Sequence, residues 1–85
     1  MIYKEDSIAE KIVIRTFKDS VDPIELQWHR DNEDREITTL GKTDWKIQLE
    51  DELPKVISNI FIPKGKWHRV IKGSGELKVK IVKYL

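Results

Sequence analysis

The stretch Ile62-Pro63-Lys64-Gly65-Lys66-Trp67-His68 lies between two apolar segments of the sequence. Proline restricts φ to about −65° and glycine tolerates positive φ, so Pro63-Lys64-Gly65 predicts a tight turn. Residues 56–62 before the turn predict a buried strand, and residues 67–72 after it predict a second strand. His68 is therefore expected near the start of a strand, directly after the turn.

Similar strand signals occur on both sides of this stretch. Apolar and β-branched residues alternate or cluster in five further segments, residues 11–17, 24–30, 35–40, 45–49 and 76–84. Turn residues separate these segments, and Gly73-Ser74-Gly75 predicts a hairpin tip. Helical periodicity is weak, although residues 3–11 could hold a helical turn capped by Asp6-Ser7. This spacing of short strands predicts a small all-β sandwich or barrel.

Length and charge limit the classes of function. The chain has 85 residues, which suits a single domain, and we expect a homodimer because a domain this small leaves apolar surface outside. Its 16 Lys and Arg residues nearly balance its 15 Asp and Glu residues, which argues against nucleic-acid binding. The absence of cysteine excludes disulfides and thiolate metal sites. No apolar run has the length of a membrane span or signal peptide, so we expect a cytoplasmic protein with no membrane partner.

The form P-x-G-x-x-H at Pro63–His68 resembles the second signature motif of the cupin superfamily. The first cupin motif, H-x-H followed by a carboxylate and a glycine, has a partial counterpart in His29-Arg30-Asp31, with Asp34 seven residues before Gly41. The likeness covers residues 23–82 of a single domain spanning residues 1–85. It implies an all-β fold, a small cupin-type jelly-roll β-barrel (a double-stranded β-helix) of about seven or eight strands.

The chain also looks like small uncharacterised cupin-like proteins of marine bacteriophages, through Trp28-His29-Arg30-Asp31 and residues 68–73. It departs from the cupin motifs mainly at Asp31, which replaces the second histidine, and the spacing from Asp31 to Asp34 is one residue short. Pro23 and Ile57 stand where the two cupin motifs begin with glycine, and Lys72 stands where the second motif ends in asparagine. These departures affect the implied metal site rather than the implied fold.

Two histidines and one carboxylate form the candidate metal site. Residues two apart on a strand point to the same face, about 6.5 Å apart, so His29 and Asp31 can bind one ion, which His68 would complete from a neighbouring strand. Such a set leaves coordination positions open and suits Fe(II), with Mn(II), Ni(II) and Zn(II) as further candidates. Asp34 is a candidate fourth ligand, or a partner that orients a histidine. The open positions would take water or a small polar ligand.

The alternation of residues along segment 24–30 also supports the opposite arrangement, in which the candidate ligands face solvent. Ile24, Leu26 and Trp28 share the other face of their segment, and if that face packs inside, His29 and Asp31 face solvent and no site forms. The three tryptophans as a group are interpreted as core and interface aromatics rather than as ligand-stacking rings.

Three functions stay open on these residues. One is a metal-binding cupin pocket for a small polar ligand, with or without catalysis. The second is a metal-free cupin module for ligand binding or assembly. The third, which the near-neutral charge disfavours, is a small barrel that binds nucleic acid through tryptophan and lysine side chains. Arg35 and Arg69 are interpreted as surface ion-pair partners of the nearby acids rather than as ligands of a substrate carboxylate or phosphate.

Overall fold

Eight strands form within residues 2–84, the part of the chain that the structure, a computed structural model, describes. They are β1 (Lys4–Ala9), β2 (Ile12–Phe17), β3 (Asp34–Thr39), β4 (Lys46–Leu49), β5 (Lys55–Val56), β6 (Asn59–Ile62), β7 (His68–Ile71) and β8 (Leu77–Tyr84). Five strands form one antiparallel sheet in the order β1-β2-β8-β3-β6, and three form a second in the order β5-β4-β7. The predicted all-β class is confirmed. The domain predicted over residues 1–85 includes Met1 and Leu85, which lie outside the described part.

The inward faces of the two sheets share one hydrophobic core. Strands β4 and β8 show why: their apolar residues alternate with polar ones, and the alternate residues are buried, namely Ile47, Leu49, Leu77, Val79 and Ile81. Trp45, directly before β4, is fully buried and donates its indole N–H to Gly75 O at 3.1 Å. Over residues 2–84, no helix has the length and apolar character that a membrane crossing requires.

The helical turn predicted at residues 3–11 is wrong. Strands β1 and β2 form an antiparallel hairpin instead, with Lys4 opposite Thr16 and a register shift between Ser7 and Ala9. All six residues of β1 are exposed. Because neither face of this strand is buried, its sequence carries no alternation of apolar and polar residues, and the strand signal was absent.

The strand predicted over residues 24–30 is wrong at its start. Asp22 Oδ1 accepts a hydrogen bond from Ile24 N at 3.0 Å and caps a 3-10 helix at Pro23–Glu25. Ile24 is consequently 77% exposed whereas Leu26 is buried, so the two side chains do not share a strand face. The chain then becomes extended and joins β7 through an isolated antiparallel bridge at His29.

Two predicted connections also differ in the structure. Residues 56–62 are divided between the sheets, since β5 pairs with β4 and β6 pairs with β3. Gly73-Ser74-Gly75 is not a hairpin tip, because it joins β7 of one sheet to β8 of the other. The Asp44 carboxylate holds this crossing by accepting hydrogen bonds from Ser74 N at 2.7 Å and from Ser74 Oγ at 2.8 Å.

Replacement of Ile81 by alanine is expected to lower the free energy of unfolding by about 2–5 kcal/mol, because its side chain is 2% exposed and its removal leaves a cavity. Lys78→Ala, at an exposed position of the same strand, is the matched control and should change that free energy by less than about 0.5 kcal/mol. Urea denaturation followed by tryptophan fluorescence measures both. Equal losses in the two variants would contradict the buried face assigned to β8.

Candidate metal centre

His29 and His68 lie opposite each other on adjacent extended segments. His29 N donates to His68 O and His68 N donates to His29 O, both at 2.9 Å. This exchange defines a hydrogen-bonded pair of an antiparallel ladder, in which opposed side chains project to the same face. The two imidazole centroids are accordingly 4.2 Å apart, with 61° between the ring planes. Backbone pairing thus brings the two histidines of the chain to one place.

The turn at Pro63–Gly65 holds Asp31 against this pair. Lys66 N donates to Pro63 O at 3.1 Å, which confirms the predicted turn, and Gly65, with φ of +79°, donates its N–H to Asp31 O at 2.9 Å. Asp31 Oδ2 then lies 3.3 Å from His68 Nε2. Each of the residues His29, Asp31 and His68 offers one potential metal-binding atom, and these three atoms lie within 4.8 Å of one another. The H-x-D sequence therefore delivers both of its side chains to one site.

Backbone carbonyls set the tautomer of both imidazoles. His68 Nδ1 lies 2.8 Å from Lys66 O, and His29 Nδ1 lies 3.1 Å from Gln27 O. Because a carbonyl oxygen can only accept, Nδ1 carries the proton in each neutral ring and Nε2 carries the free lone pair. Hydrogen bonds of this kind orient histidines that bind metals through the other nitrogen.

Burial holds the pKa of His68 below its ordinary value. The residue is 3% exposed, and loss of hydration, which penalises the charged ring, is the largest cause of the shift. The Lys66 carbonyl raises this pKa, His29 lowers it, Asp31 raises it and Arg35 lowers it, in decreasing order of effect. The net direction is downward, so His68 is neutral at neutral pH.

A neutral His68 leaves Asp31 Oδ2 without a hydrogen-bond donor. The lone pair of His68 Nε2 faces Asp31 Oδ2, and among the described residues this buried oxygen has no hydrogen-bond partner. Two acceptors thus lie 3.3 Å apart with no proton between them. A cation bound by both atoms would remove this conflict.

Asp34, predicted from the sequence as a fourth ligand or an orienting partner, lies at the start of β3 and is hydrogen-bonded to the turn at Pro63–Gly65. Its Oδ1 accepts a hydrogen bond from Lys64 N at 2.7 Å. The carboxylate therefore stabilises the backbone segment that holds Asp31, and the group of potential metal ligands comprises His29, Asp31 and His68 without it.

A cavity of about 390 Å³ inside the fold is lined by these three residues. Most of its wall is apolar and comes from both sheets, including Ile37, Ile47, Val70, Leu77, Val79 and Ile81. The arrangement with His29 and Asp31 turned away from the interior is therefore not adopted, although His29 itself is exposed to solvent. The metal-ligand group lies beside a largely apolar space with the volume of a small ligand pocket.

Arg35, interpreted from the sequence as a surface residue, also lines this cavity. It does pair with nearby acids, since its Nη2 lies 3.4 Å from Asp31 Oδ1 and 3.6 Å from Glu33 Oε1, but its side chain is only 13% exposed. The signal for this placement is its position two residues before the buried Ile37, because both side chains then share the inward face of β3.

The tryptophans divide between the core and the outer surface. Trp45 is a core residue, as predicted, whereas Trp28 and Trp67 are each 40% exposed. The Arg69 guanidinium lies 4.9 Å from the ring centroid of Trp28, and that of Arg30 lies 5.1 Å from the ring centroid of Trp67. Each of these cation–π contacts occupies one face of its tryptophan ring.

Solved structures with this architecture include a protein from Neisseria meningitidis, NMB1881. It is similar to this chain with a TM-score of 0.67 and 13% identity, over 98% of this chain and 83% of that protein. A cupin domain from Bordetella pertussis Tohama I matches with a TM-score of 0.64 and 17% identity, over 99% of this chain and 93% of the domain.

The Fe(II) form of HppE is a third similar structure, with a TM-score of 0.64 and 15% identity, over 86% of this chain. This chain spans only 41% of HppE. No protein-family model matches the sequence, and no curated protein does. Likeness at such low identity establishes the fold alone, and it confirms the predicted small jelly-roll of the cupin type.

The lowered pKa of His68 predicts the pH dependence of stability in metal-free protein. An unfolded histidine has a pKa of about 6.5, so between that value and the lower folded value the unfolded chain binds more protons. The contribution of His68 to the free energy of unfolding should be complete above about pH 6.5, decrease as the pH falls through this interval, and stay constant below it.

Urea denaturation of chelator-treated protein from about pH 5 to 8 measures this dependence, and subtraction of the His68→Gln profile removes the titration of the carboxylates. A difference profile that rises as the pH falls would show that folded His68 gains rather than resists a proton, contrary to the direction of the pKa.

Proposed function

We propose that this cupin-like protein binds one divalent transition-metal ion through His29 Nε2, an oxygen of Asp31 and His68 Nε2. The observation that carries the proposal is the buried contact of 3.3 Å between His68 Nε2 and Asp31 Oδ2. With Nδ1 protonated, both of these atoms are acceptors and neither satisfies the other. A metal cation supplies the missing interaction to both.

The ligand types favour iron among the candidate metals. Two imidazoles and one carboxylate form a facial triad with open coordination positions, which suits Fe(II) and also accommodates Mn(II), Ni(II) and Zn(II). The similar HppE structure was solved in its Fe(II) form, which supports the same order of preference. The carbonyls of Gln27 and Lys66 supply the supporting hydrogen bonds that metal-binding histidines require.

The pocket around the ion is suited to a small ligand. A bound ion would offer its open positions to water or to a polar group of the ligand and would polarise that group. Aliphatic side chains from both sheets line the cavity of about 390 Å³ beside this position. We therefore propose that the protein binds a small molecule at a mononuclear metal centre.

A metal-free pocket is the competing interpretation, motivated by Asp31 in place of the second histidine of the first cupin motif. In such a protein, His68 would be protonated and would donate to Asp31, which requires a raised pKa for His68. Burial, the largest cause, lowers that pKa together with His29 and Arg35, and these effects outweigh the Lys66 carbonyl and Asp31, which raise it. The charges and the burial around the site thus support the metal-binding interpretation.

Chelator-treated protein titrated anaerobically with Fe(II), and separately with Zn(II), is expected to bind one ion per chain. Asp31→Ala and His68→Ala should each weaken binding at least about 100-fold, because loss of a residue that merely supports a ligand already costs about 10–100-fold. Isothermal titration calorimetry and elemental analysis measure affinity and stoichiometry.

Asp34→Asn is the matched control for these variants. It keeps an oxygen acceptor for Lys64 N, while Asp34 is outside the group of potential ligands, so metal affinity should stay within about threefold of the parent. Well under one ion per chain in the reloaded parent protein, or equal losses in the Asp31 and Asp34 variants, would refute the proposed centre.

A further inference from the structure

We infer that the ligand of this pocket is a small organic monocarboxylate, whose carboxylate binds Arg35 beside the metal position and whose apolar body occupies the cavity. This inference rests on the proposed metal centre and adds the chemical class of its ligand. It follows from the unused hydrogen-bonding capacity of Arg35, from the charges around it and from the composition of the cavity wall.

The side chain of Arg35 is 13% exposed and its guanidinium is poorly paired. Its Nε has no hydrogen-bond partner anywhere in residues 2–84. Its distances to Asp31 Oδ1 and Glu33 Oε1, 3.4 and 3.6 Å, both involve Nη2 and exceed the roughly 2.7–2.9 Å of a charge-assisted hydrogen bond. A guanidinium binds carboxylates through two parallel N–H donors. Because Arg35 lines the cavity, a ligand carboxylate there can use the donors that the protein leaves poorly paired.

Arg15 provides a comparison within the same cavity wall. Its Nε and Nη2 both donate to Glu5 Oε1, at 3.0 and 2.7 Å, and its guanidinium lies 3.9 Å from the ring centroid of Tyr3. Arg15 is therefore satisfied by the protein itself. Both arginine side chains are 13% exposed, so the fold can give such an arginine close partners, and at Arg35 it does not.

The charges around the site favour one negative charge on the ligand. Arg35, Asp31 and Glu33 together carry a formal charge of −1, which a divalent ion changes to +1. Glu25 also lines the cavity but is exposed, so water screens its charge. A monoanion makes the buried group neutral, whereas a phosphate dianion would leave a net negative charge in a largely apolar space.

The wall of the cavity indicates the rest of the ligand. Its aliphatic residues from both sheets can bury an apolar body but offer few hydrogen bonds to a polyhydroxylated one. The cavity of about 390 Å³ is at the small end of the range for ligand pockets. A short-chain carboxylate such as pentanoate matches both the head group and the body.

The test uses the full chain loaded with Co(II), whose visible absorption reports ligands near the metal. Pentanoate should perturb the spectrum saturably, whereas pentanamide, which lacks the charge, and inorganic phosphate should not. Arg35→Gln should weaken the pentanoate response at least about tenfold without changing the cobalt stoichiometry, because the two parallel N–H donors are lost and the metal ligands remain. Arg35→Lys keeps the positive charge but not the two parallel N–H donors, so its pentanoate response should be weakened as well.

Arg30→Gln, at an exposed position outside the cavity wall, is the control and should respond to pentanoate as the parent does. A second measurement follows the Arg35 Nε–H resonance during pentanoate addition to metal-free protein, where the formal charge of −1 predicts weaker binding than in the metal-loaded protein. Normal cobalt binding without an Arg35-dependent pentanoate response overturns this inference and leaves the metal centre standing. Absent cobalt binding with a pentanoate-induced shift of the Arg35 resonance overturns the metal centre and the ligand position beside it but leaves the contact between the carboxylate and Arg35, and the absence of both responses overturns both. A stronger response to phosphate than to pentanoate would overturn the assignment of a monocarboxylate.

Discussion

The exchange of two backbone hydrogen bonds between His29 and His68, both of 2.9 Å, is the constraint on which the candidate site depends. Strand β7 is an edge of the three-stranded sheet, and this bridge attaches an otherwise irregular segment to that edge. Antiparallel pairing leaves opposed side chains on one face. The convergence of the imidazoles is thus a property of the backbone, and a second backbone bond, from Gly65 to Asp31, adds the carboxylate.

Polar groups are satisfied differently at this site than elsewhere in the fold. The indole of Trp45 donates to Gly75 O, and the guanidinium of Arg15 is paired with Glu5. At the site, by contrast, Asp31 Oδ2 and Arg35 Nε are buried within the described chain without hydrogen-bond partners. Unsatisfied buried groups are costly for stability and recur where a protein is arranged to bind something. Both groups lie against the same apolar cavity, which concentrates that cost at one place.

Sequence patterns predicted the fold best where one strand face is deeply buried. In β4 and β8, apolar and polar residues alternate because one face contributes to the core, so the strands could be identified from local sequence. Strand β1 is exposed along its whole length and carried no such signal. Residues 24–30 alternated as a strand does, but the Asp22 cap and Pro23 form a 3-10 turn there, and this local hydrogen bond prevailed over the periodicity.

The sequence by itself determined the all-β class, the turn at Pro63–Gly65 and the residue types available for a metal, because strand periodicity, proline and glycine geometry and ligand chemistry are local properties. Only the tertiary structure decided that His29, Asp31 and His68 converge, that Asp34 accepts a hydrogen bond from the turn, and that Arg35 lines the cavity. The physical reason is that each of these outcomes depends on pairing between segments distant in sequence. In β-sheets, such pairing decides which face of a segment is buried.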